Sequence, residues 1–158
     1  MKYTIPCLFG LEALVADELR RLDLKNVRAE NGRVHCDGGP ADIPRLNINL
    51  RCGARVLVEL AGFPAPAFEA LFQGVAAIPW EDCIPRDGEF PVKGYSIPSQ
   101  LHSVPACQAI VKKAAAKRLG QAYGCETRPE TGDRYQIQFA LIKDTAAVYL
   151  DTSGDGLY

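Results

Sequence analysis

Hydrophobic and polar positions in the first sixty residues follow strand spacing and helix spacing in turn. The segment Lys2–Cys7 predicts a short strand. A helix opening near Gly10 follows, since apolar residues recur there at helical spacing and define one face: Leu11, Leu14, Val15, Leu19 and Leu22. Two further strands, Val27–Glu30 and Arg33–Asp37, flank Asn31-Gly32. That dipeptide tolerates positive φ, so it favours a hairpin with a type I′ turn.

The same pattern continues with a second helix and a fourth strand. Asp42 is placed to cap a helix that carries Ile43, Leu46 and Leu50, and Arg55–Leu60 predicts the strand. The resulting order, β-α-β-β-α-β, is the ferredoxin-like split βαβ arrangement, with four antiparallel strands and two helices on one face. The fold class is therefore α+β.

A break at Gly62–Pro66 predicts a domain boundary, which divides the chain into residues 1–62 and 63–158. The second part is again mixed α and β. A short helix is expected at Ala67–Gly74 with Phe68, Leu71 and Phe72 buried. Trp80 is expected to anchor a core or a domain junction, and base stacking is the alternative role. The remaining elements are a strand at Glu89–Tyr95, a long helix at about 104–122, and strands at Tyr135–Ile142 and Ala146–Asp151 that meet in a tight turn at Lys143-Asp144.

The segment Lys93–Arg118 is a polar loop followed by the long helix. Ser103 is predicted to be the N-cap, Pro105 falls in the first turn, and Gly120 and Gly124 offer two positions at which the helix can end. Helical spacing puts three lysines roughly opposite the apolar face, with an arginine at the margin: Lys112, Lys113, Lys117 and Arg118. Such a helix fits a surface for a polyanion, and it fits equally a solvated face that keeps the protein soluble.

Positive charge is concentrated in the part of the chain that contains this segment. The formal net charge is −1 over 158 residues, so the chain as a whole makes no electrostatic case for nucleic acid. Residues 86–128, however, hold seven basic and three acidic groups, a net of +4. No apolar run approaches the roughly 18 residues that cross a bilayer, and the N-terminus lacks a signal peptide, so we expect a cytoplasmic protein without a membrane partner.

Catalytic and metal-binding motifs are absent from the sequence. No glycine-rich nucleotide motif, nucleophile elbow or H-E-x-x-H occurs. The six cysteines include no C-x-x-C, and with only His35 and His102 no zinc-finger spacing exists, so we expect buried, reduced thiols. We therefore predict no catalytic residue, metal or cofactor in these residues.

Several ordered motifs resemble one family. They are Gly10-Leu11-Glu12, Asn31-Gly32-Arg33-Val34, Asn47 with Leu50-Arg51 and Arg55-Val56-Leu57, Gly74-Val75 with Ile78 and Trp80, the segment from Gly94 to Ala114, and Leu150-Asp151 with Ser153-Gly154 and Gly156-Leu157. In this order and spacing the chain resembles the N-terminal ferredoxin-like plus THUMP region of the large-subunit ribosomal RNA guanine-N2 methyltransferases. Relatives there are often labelled N6-adenine-specific DNA methylases.

The resemblance implies an RNA-binding, substrate-recognition fragment, with THUMP at residues 63–158. It also implies a C-terminal methyltransferase domain that uses S-adenosylmethionine and follows the glycine-containing tail, which we interpret as a connector. Ribosomal RNA, either single-stranded or structured, would be the partner, and the expected contacts are Lys93, Tyr95, Ser96, Ser99, Gln100, Ser103, Gln108, Lys112, Lys113, Lys117 and Arg118. The alternative is a protein-interaction or small-ligand ferredoxin-like module without RNA affinity, because this fold serves many functions.

Overall fold

The computed structural model describes residues 1–127, 129–154 and 157 of the chain. These residues form two compact units. The first unit comprises residues 1–59 together with the described residues from 151 onward, and the second comprises residues 60–150. The division predicted from the sequence, at residue 62, stays a prediction.

The first unit has the ferredoxin-like order of elements. They are β1 (Lys2–Pro6), α1 (Glu12–Arg21), β2 (Lys25–Glu30), β3 (Arg33–Asp37), α2 (Asp42–Asn49) and the beginning of β4 (Leu57–Pro64). The strands lie in the order β2-β3-β1-β4, and every pair between them is antiparallel. The core includes Tyr3, Ile5, Val15, Leu19 and Leu46, each fully buried. The predicted βαββαβ fold is confirmed.

Two details of this unit differ from the prediction. At the Asn31-Gly32 hairpin turn only Gly32 has positive φ, 76°, so the turn is not type I′. Strand β4 begins at Leu57 rather than Arg55. The reason is that the backbone of Val56 is engaged elsewhere, since its N–H donates to Ser153 Oγ and its carbonyl accepts from Thr152.

The described part of the tail returns to the first unit. The Thr152 amide donates to the Val56 carbonyl at 3.0 Å, and the Leu157 amide donates to the Ala54 carbonyl at 3.0 Å. The side chain of Asp151 is completely buried and accepts a hydrogen bond from Arg55 at 2.8 Å. The predicted connector is thus held against the first unit as far as residue 154 and again at 157, while residues 155, 156 and 158 lie outside the described part.

The second unit combines helices with strands. In chain order its elements after β4 are α3 (Phe68–Ala76), a 3₁₀ turn (Trp80–Asp82), β5 (Val92–Ile97), α4 (Val104–Tyr123), β6 (Ile137–Ile142) and β7 (Thr145–Asp151). The second part of β4 also belongs to this unit. Their strand order is β4-β7-β6-β5, with β5 parallel to β6 and β6 antiparallel to β7. Trp80 is fully buried, as predicted, and its indole N–H donates to the Val75 carbonyl at 2.9 Å.

The ends of helix α4 follow the sequence signals in part. Gly124 ends the helix with φ of 69°, while Gly120 lies inside it. Ser103 occupies the N-cap position, but its hydroxyl accepts no capping hydrogen bond, which corrects the sequence prediction. The predicted tight turn at Lys143-Asp144 is present, and both residues have positive φ there. Phe68, the first residue of α3, is 42% exposed, so the prediction that it is buried is wrong, although Leu71 on the same helix face is fully buried.

Candidate nucleic-acid interface

The loop between β5 and α4 owes its shape to hydrogen bonds with the turn after β6. Ser96 Oγ donates to the Leu101 carbonyl at 2.7 Å, and Ser99 Oγ donates to the Ile97 carbonyl at 3.0 Å. Ser99 Oγ also accepts from the Asp144 amide, and the Asp144 carboxylate accepts from the Gln100 amide at 2.7 Å. The two serine hydroxyls therefore fix the backbone of the loop, and with it the positions of the side chains that the loop exposes.

The exposed side chains of β5 are a lysine, a tyrosine and the aliphatic Ile97, which is 50% exposed, and the loop adds exposed polar side chains. Lys93 and Tyr95 are exposed on the same side of β5, because successive strand residues point to opposite faces. Between them, Gly94 lies over the ring of Phe139, where an added Cβ would come within 2.5 Å. Gln100 and Ser103 are exposed in the loop, and Gln108, one turn into α4, is half-buried.

Two of the four predicted helix cations are paired with carboxylates. Lys112 Nζ lies 2.6 Å from Glu130, 3.0 Å from the Phe90 carbonyl and 3.6 Å from the centre of the Phe90 ring. Arg118 forms two hydrogen bonds with Glu81, at 2.8 and 3.1 Å. These hydrogen bonds lower the pKa of Glu81 and raise that of Arg118. Both cations are thus held in place by neighbouring elements.

Lys113 and Lys117 differ from the other two. Both side chains are exposed, and within the described part of the chain neither lies within 4 Å of a carboxylate. The Lys117 ammonium lies 5.5 Å from the centre of the Phe72 ring, a cation–π contact that orients it toward α3. The two lysines are one helical turn apart, about 6 Å along the axis, and they form the basic part of this surface.

Lys113 lies between two surface grooves. One has a volume of about 500 Å³ and runs along the C-terminal half of α4, lined by Lys113, Ala116, Lys117, Gly120, Gln121, Gly124, Cys125 and Glu126. The other has a volume of about 320 Å³ and lies between α3 and α4, lined by Phe68, Glu69, Phe72, Gln73, Ile110 and Lys113. Both volumes are in the range of small-ligand sites.

The single lysine face predicted from helical spacing is therefore divided. Lys112 lies against Phe90 and Arg118 against Glu81, while Lys113 and Lys117 lie together beside the grooves. Sequence reasoning also missed the exposure of Phe68, because its spacing to Leu71 and Phe72 predicted that all three side chains are buried. The set of eleven predicted contact residues stays a prediction.

No metal site or membrane span accompanies this surface in the part of the chain that the structure describes. Within residues 1–127, 129–154 and 157, no three histidine, cysteine or acidic side chains form a group that could hold a metal ion. The cysteines are free thiols, and burial raises the pKa of Cys36 to about 12 and that of Cys83 to about 11. Among the described helices, none has the length and apolarity to span a membrane.

Fold and sequence comparisons define an α+β chain with a ferredoxin-like part followed by a THUMP part. The family described as "RlmL ferredoxin-like domain" matches residues 2–57, and the family described as "THUMP domain" matches residues 65–151. The second match covers more than half of the chain. The chain belongs to the THUMP domain family.

Two proteins that are similar to the chain carry methyltransferase names. It is 42% identical over 161 residues to "Putative RNA methyltransferase YpsC" of Bacillus subtilis (strain 168), covering 99% of this chain and 42% of that protein. It is 30% identical over 152 residues to "Ribosomal RNA large subunit methyltransferase K/L" of Syntrophotalea carbinolica, covering 94% of this chain and 21% of that protein. The chain thus spans less than half the length of these relatives.

Solved structures that resemble the chain also carry methylase or methyltransferase names. A predicted N6-adenine-specific DNA methylase from Listeria monocytogenes superposes with a TM-score of 0.92 at 39% identity, over 98% of this chain and 41% of that one. The protein described as "SMU.472, a putative methyltransferase complexed with SAH" superposes with a TM-score of 0.89 at 39% identity, over 95% of this chain and 41% of that one. The resemblance seen in the sequence motifs is confirmed.

Proposed function

We propose that this chain is the RNA-binding, substrate-recognition part of an S-adenosylmethionine-dependent RNA methyltransferase. The THUMP match, and relatives named as RNA methyltransferases, support it. In the finer form of the proposal, the substrate is ribosomal RNA methylated at guanine N2, the methyl-transfer domain lies C-terminal to these residues, and the whole protein works in the cytoplasm. The name of the K/L relative supports the ribosomal substrate, and the SAH complex of SMU.472 supports the cofactor.

The observation that carries the proposal is the exposed pair Lys113 and Lys117. An ion-paired cation must break its pair before it meets a phosphate, whereas a solvated ammonium exchanges only water and counterions. Because both lysines extend from one rigid helix and have no carboxylate within 4 Å in the described part of the chain, they can contact neighbouring phosphates at small cost.

The other predicted residues take distinct roles in this proposal. Lys93 adds a further exposed cation, and Tyr95, at 43% exposure, offers a ring for stacking. Gln100, Ser103 and Gln108 would hydrogen-bond the sugar-phosphate backbone or 2′-hydroxyls. The remaining four position the surface: Ser96 and Ser99 hold the loop, and Lys112 and Arg118 brace α4 against Glu130 and Glu81.

The test is a salt titration of RNA binding with matched charge reversals. Lys113→Glu with Lys117→Glu is compared with Lys2→Glu and Lys25→Glu, a pair of exposed lysines in the first unit that carries the same change in charge. Each phosphate contact on single-stranded RNA contributes about 0.7 to the slope of log K against log salt, so losing two should lower the slope by about 1.4. The control pair should keep the slope of the unchanged chain.

Two results contradict the proposal. If the unchanged chain has no salt-sensitive affinity for ribosomal RNA fragments, the protein-interaction or small-ligand alternative is favoured. If both charge-reversed pairs lose affinity equally, the effect comes from net charge, and Lys113 with Lys117 is not the contact site.

A further inference from the structure

We propose that the groove between α3 and α4 holds one unpaired RNA nucleotide, whose base stacks on Phe68 and whose phosphate meets Lys113. This inference rests on the proposed function and extends it by naming the form of RNA that the surface takes. It also gives a role to a residue outside the eleven predicted contacts.

The geometry of the groove supports one flat ligand. Its volume is about 320 Å³, and α3 supplies Phe68, Glu69, Phe72 and Gln73 while α4 supplies Ile110 and Lys113. Phe68 lies at one end, 42% exposed, on the first residue of its helix. An exposed aromatic ring beside a cation is the combination that single-stranded nucleic-acid sites use, since the ring stacks on a base and the cation meets the backbone.

The two phenylalanines of the groove are not equivalent. The Phe72 ring already faces the ammonium group of Lys117, 5.5 Å from its centre, and its side chain is half-buried. Phe68 is the more exposed ring. We therefore assign base stacking to Phe68, while Phe72, in contact with Lys117, lines the groove as part of its wall.

Charge sets the direction of the nucleotide. Glu69 accepts a hydrogen bond from the Gln73 amide at 2.9 Å, and this pair lies on the α3 side of the groove. A carboxylate repels phosphate but accepts from the amino groups of bases, whereas Lys113 on the α4 side attracts phosphate. The base therefore lies toward α3 and the phosphate toward α4. An apolar peptide fits the groove by shape but gains nothing from Lys113 and Lys117, which favours the polyanion.

Stacking on Phe68 requires a base that is not paired in a helix. In A-form RNA both faces of each internal base are covered by its neighbours, so the ring could reach a base only in a loop, a bulge or a single strand. The site should therefore discriminate between single-stranded and duplex RNA of the same sequence.

The experiment measures binding of an eight-nucleotide single-stranded RNA and of the same strand in a duplex. The variants are Phe68→Ala, Phe68→Trp, and Phe9→Ala as the matched control, since Phe9 is 82% exposed in the first unit. Base stacking removed by alanine substitution weakens single-strand binding about 5- to 150-fold. We expect Phe68→Ala to lose this much with an unchanged salt slope, to leave duplex binding unchanged, and to exceed Phe9→Ala by the same factor.

Phe68→Trp tests whether a loss of binding in Phe68→Ala comes from misfolding, because it keeps an aromatic ring at position 68. Its fluorescence also measures stacking directly. It should keep the single-strand affinity, and its fluorescence should be quenched on binding after the signal of the buried Trp80 in the unchanged chain is subtracted. Equal affinities of Phe68→Ala and Phe9→Ala, or an unquenched Trp at position 68, overturn the inference. If reversal of Lys113 and Lys117 still weakens binding in that case, the proposed function stands without it. A chain with no salt-sensitive RNA affinity overturns both.

Discussion

The hydrogen-bonded ion pair between Arg55 and Asp151 should stabilise the packing of the tail against the first unit. The Asp151 side chain is completely buried and accepts from Arg55 Nη1 at 2.8 Å and from the Ser153 amide at 2.9 Å. Arg55 also donates to the Gly154 carbonyl at 2.6 Å. Replacing Arg55 with alanine leaves a buried carboxylate without its cation.

The magnitude follows from burial. Removing one partner of a fully buried ion pair costs about 3–5 kcal/mol. The Arg55 side chain is 31% exposed, so water reaches the site and we expect about 2–3 kcal/mol for Arg55→Ala, by comparison with the 0–1 kcal/mol of surface pairs. Arg20→Ala is the matched control, because its pair with Asp17 is 3.3 Å long and both side chains are more than half exposed.

Amide hydrogen exchange measures this loss where it occurs. The Thr152 amide donates to the Val56 carbonyl, and the Val56 amide donates to Ser153 Oγ. A loss of about 2–3 kcal/mol in the free energy of local opening corresponds to exchange about 30- to 150-fold faster at Thr152 and Val56. If Arg55→Ala exchanges at these two amides no faster than Arg20→Ala, the ion pair does not hold the tail and the reasoning is refuted.

Two further predictions concern packing and pH. Gly94→Ala should lower the free energy of unfolding by about 1–3 kcal/mol in urea titrations, since its Cβ would come within 2.5 Å of the buried Phe139 ring; unchanged stability would show that the ring yields freely. Glu12 accepts from the amides of Gly32 and Gly10, which lower its pKa, so its contribution is present above the unfolded-state pKa and lost as pH falls through the folded one. In Glu12→Gln, the midpoint of urea unfolding should therefore decrease less as the pH is lowered than it does in the unchanged chain. Identical pH profiles of the two proteins would show that Glu12 does not contribute to stability in this way.

The local spacing of hydrophobic and polar residues was enough to predict most of the helices and strands. The alternation of strand and helix spacing predicted the order β-α-β-β-α-β, and an apolar stripe with Gly124 predicted the last long helix to within a residue or two. These features depend on neighbours within a few positions, where side-chain period and backbone freedom decide the structure. Ser103 shows the limit, because its N-cap position was predictable and the missing hydrogen bond was not.

The candidate site depended on partners far apart in sequence. Arg118 pairs with Glu81 across 37 positions and Lys112 with Glu130 across 18, so helical spacing alone could not separate them from Lys113 and Lys117. The exposure of Phe68 likewise depends on tertiary packing, since helical spacing alone placed it with the buried Leu71. The order of helices and strands and the location of the excess positive charge followed from the residue pattern along the chain. The folded structure was needed to show which helix cations lack a carboxylate within 4 Å in the described part of the chain, and where the tail is held, because ion pairs and burial come from contacts between residues far apart in sequence.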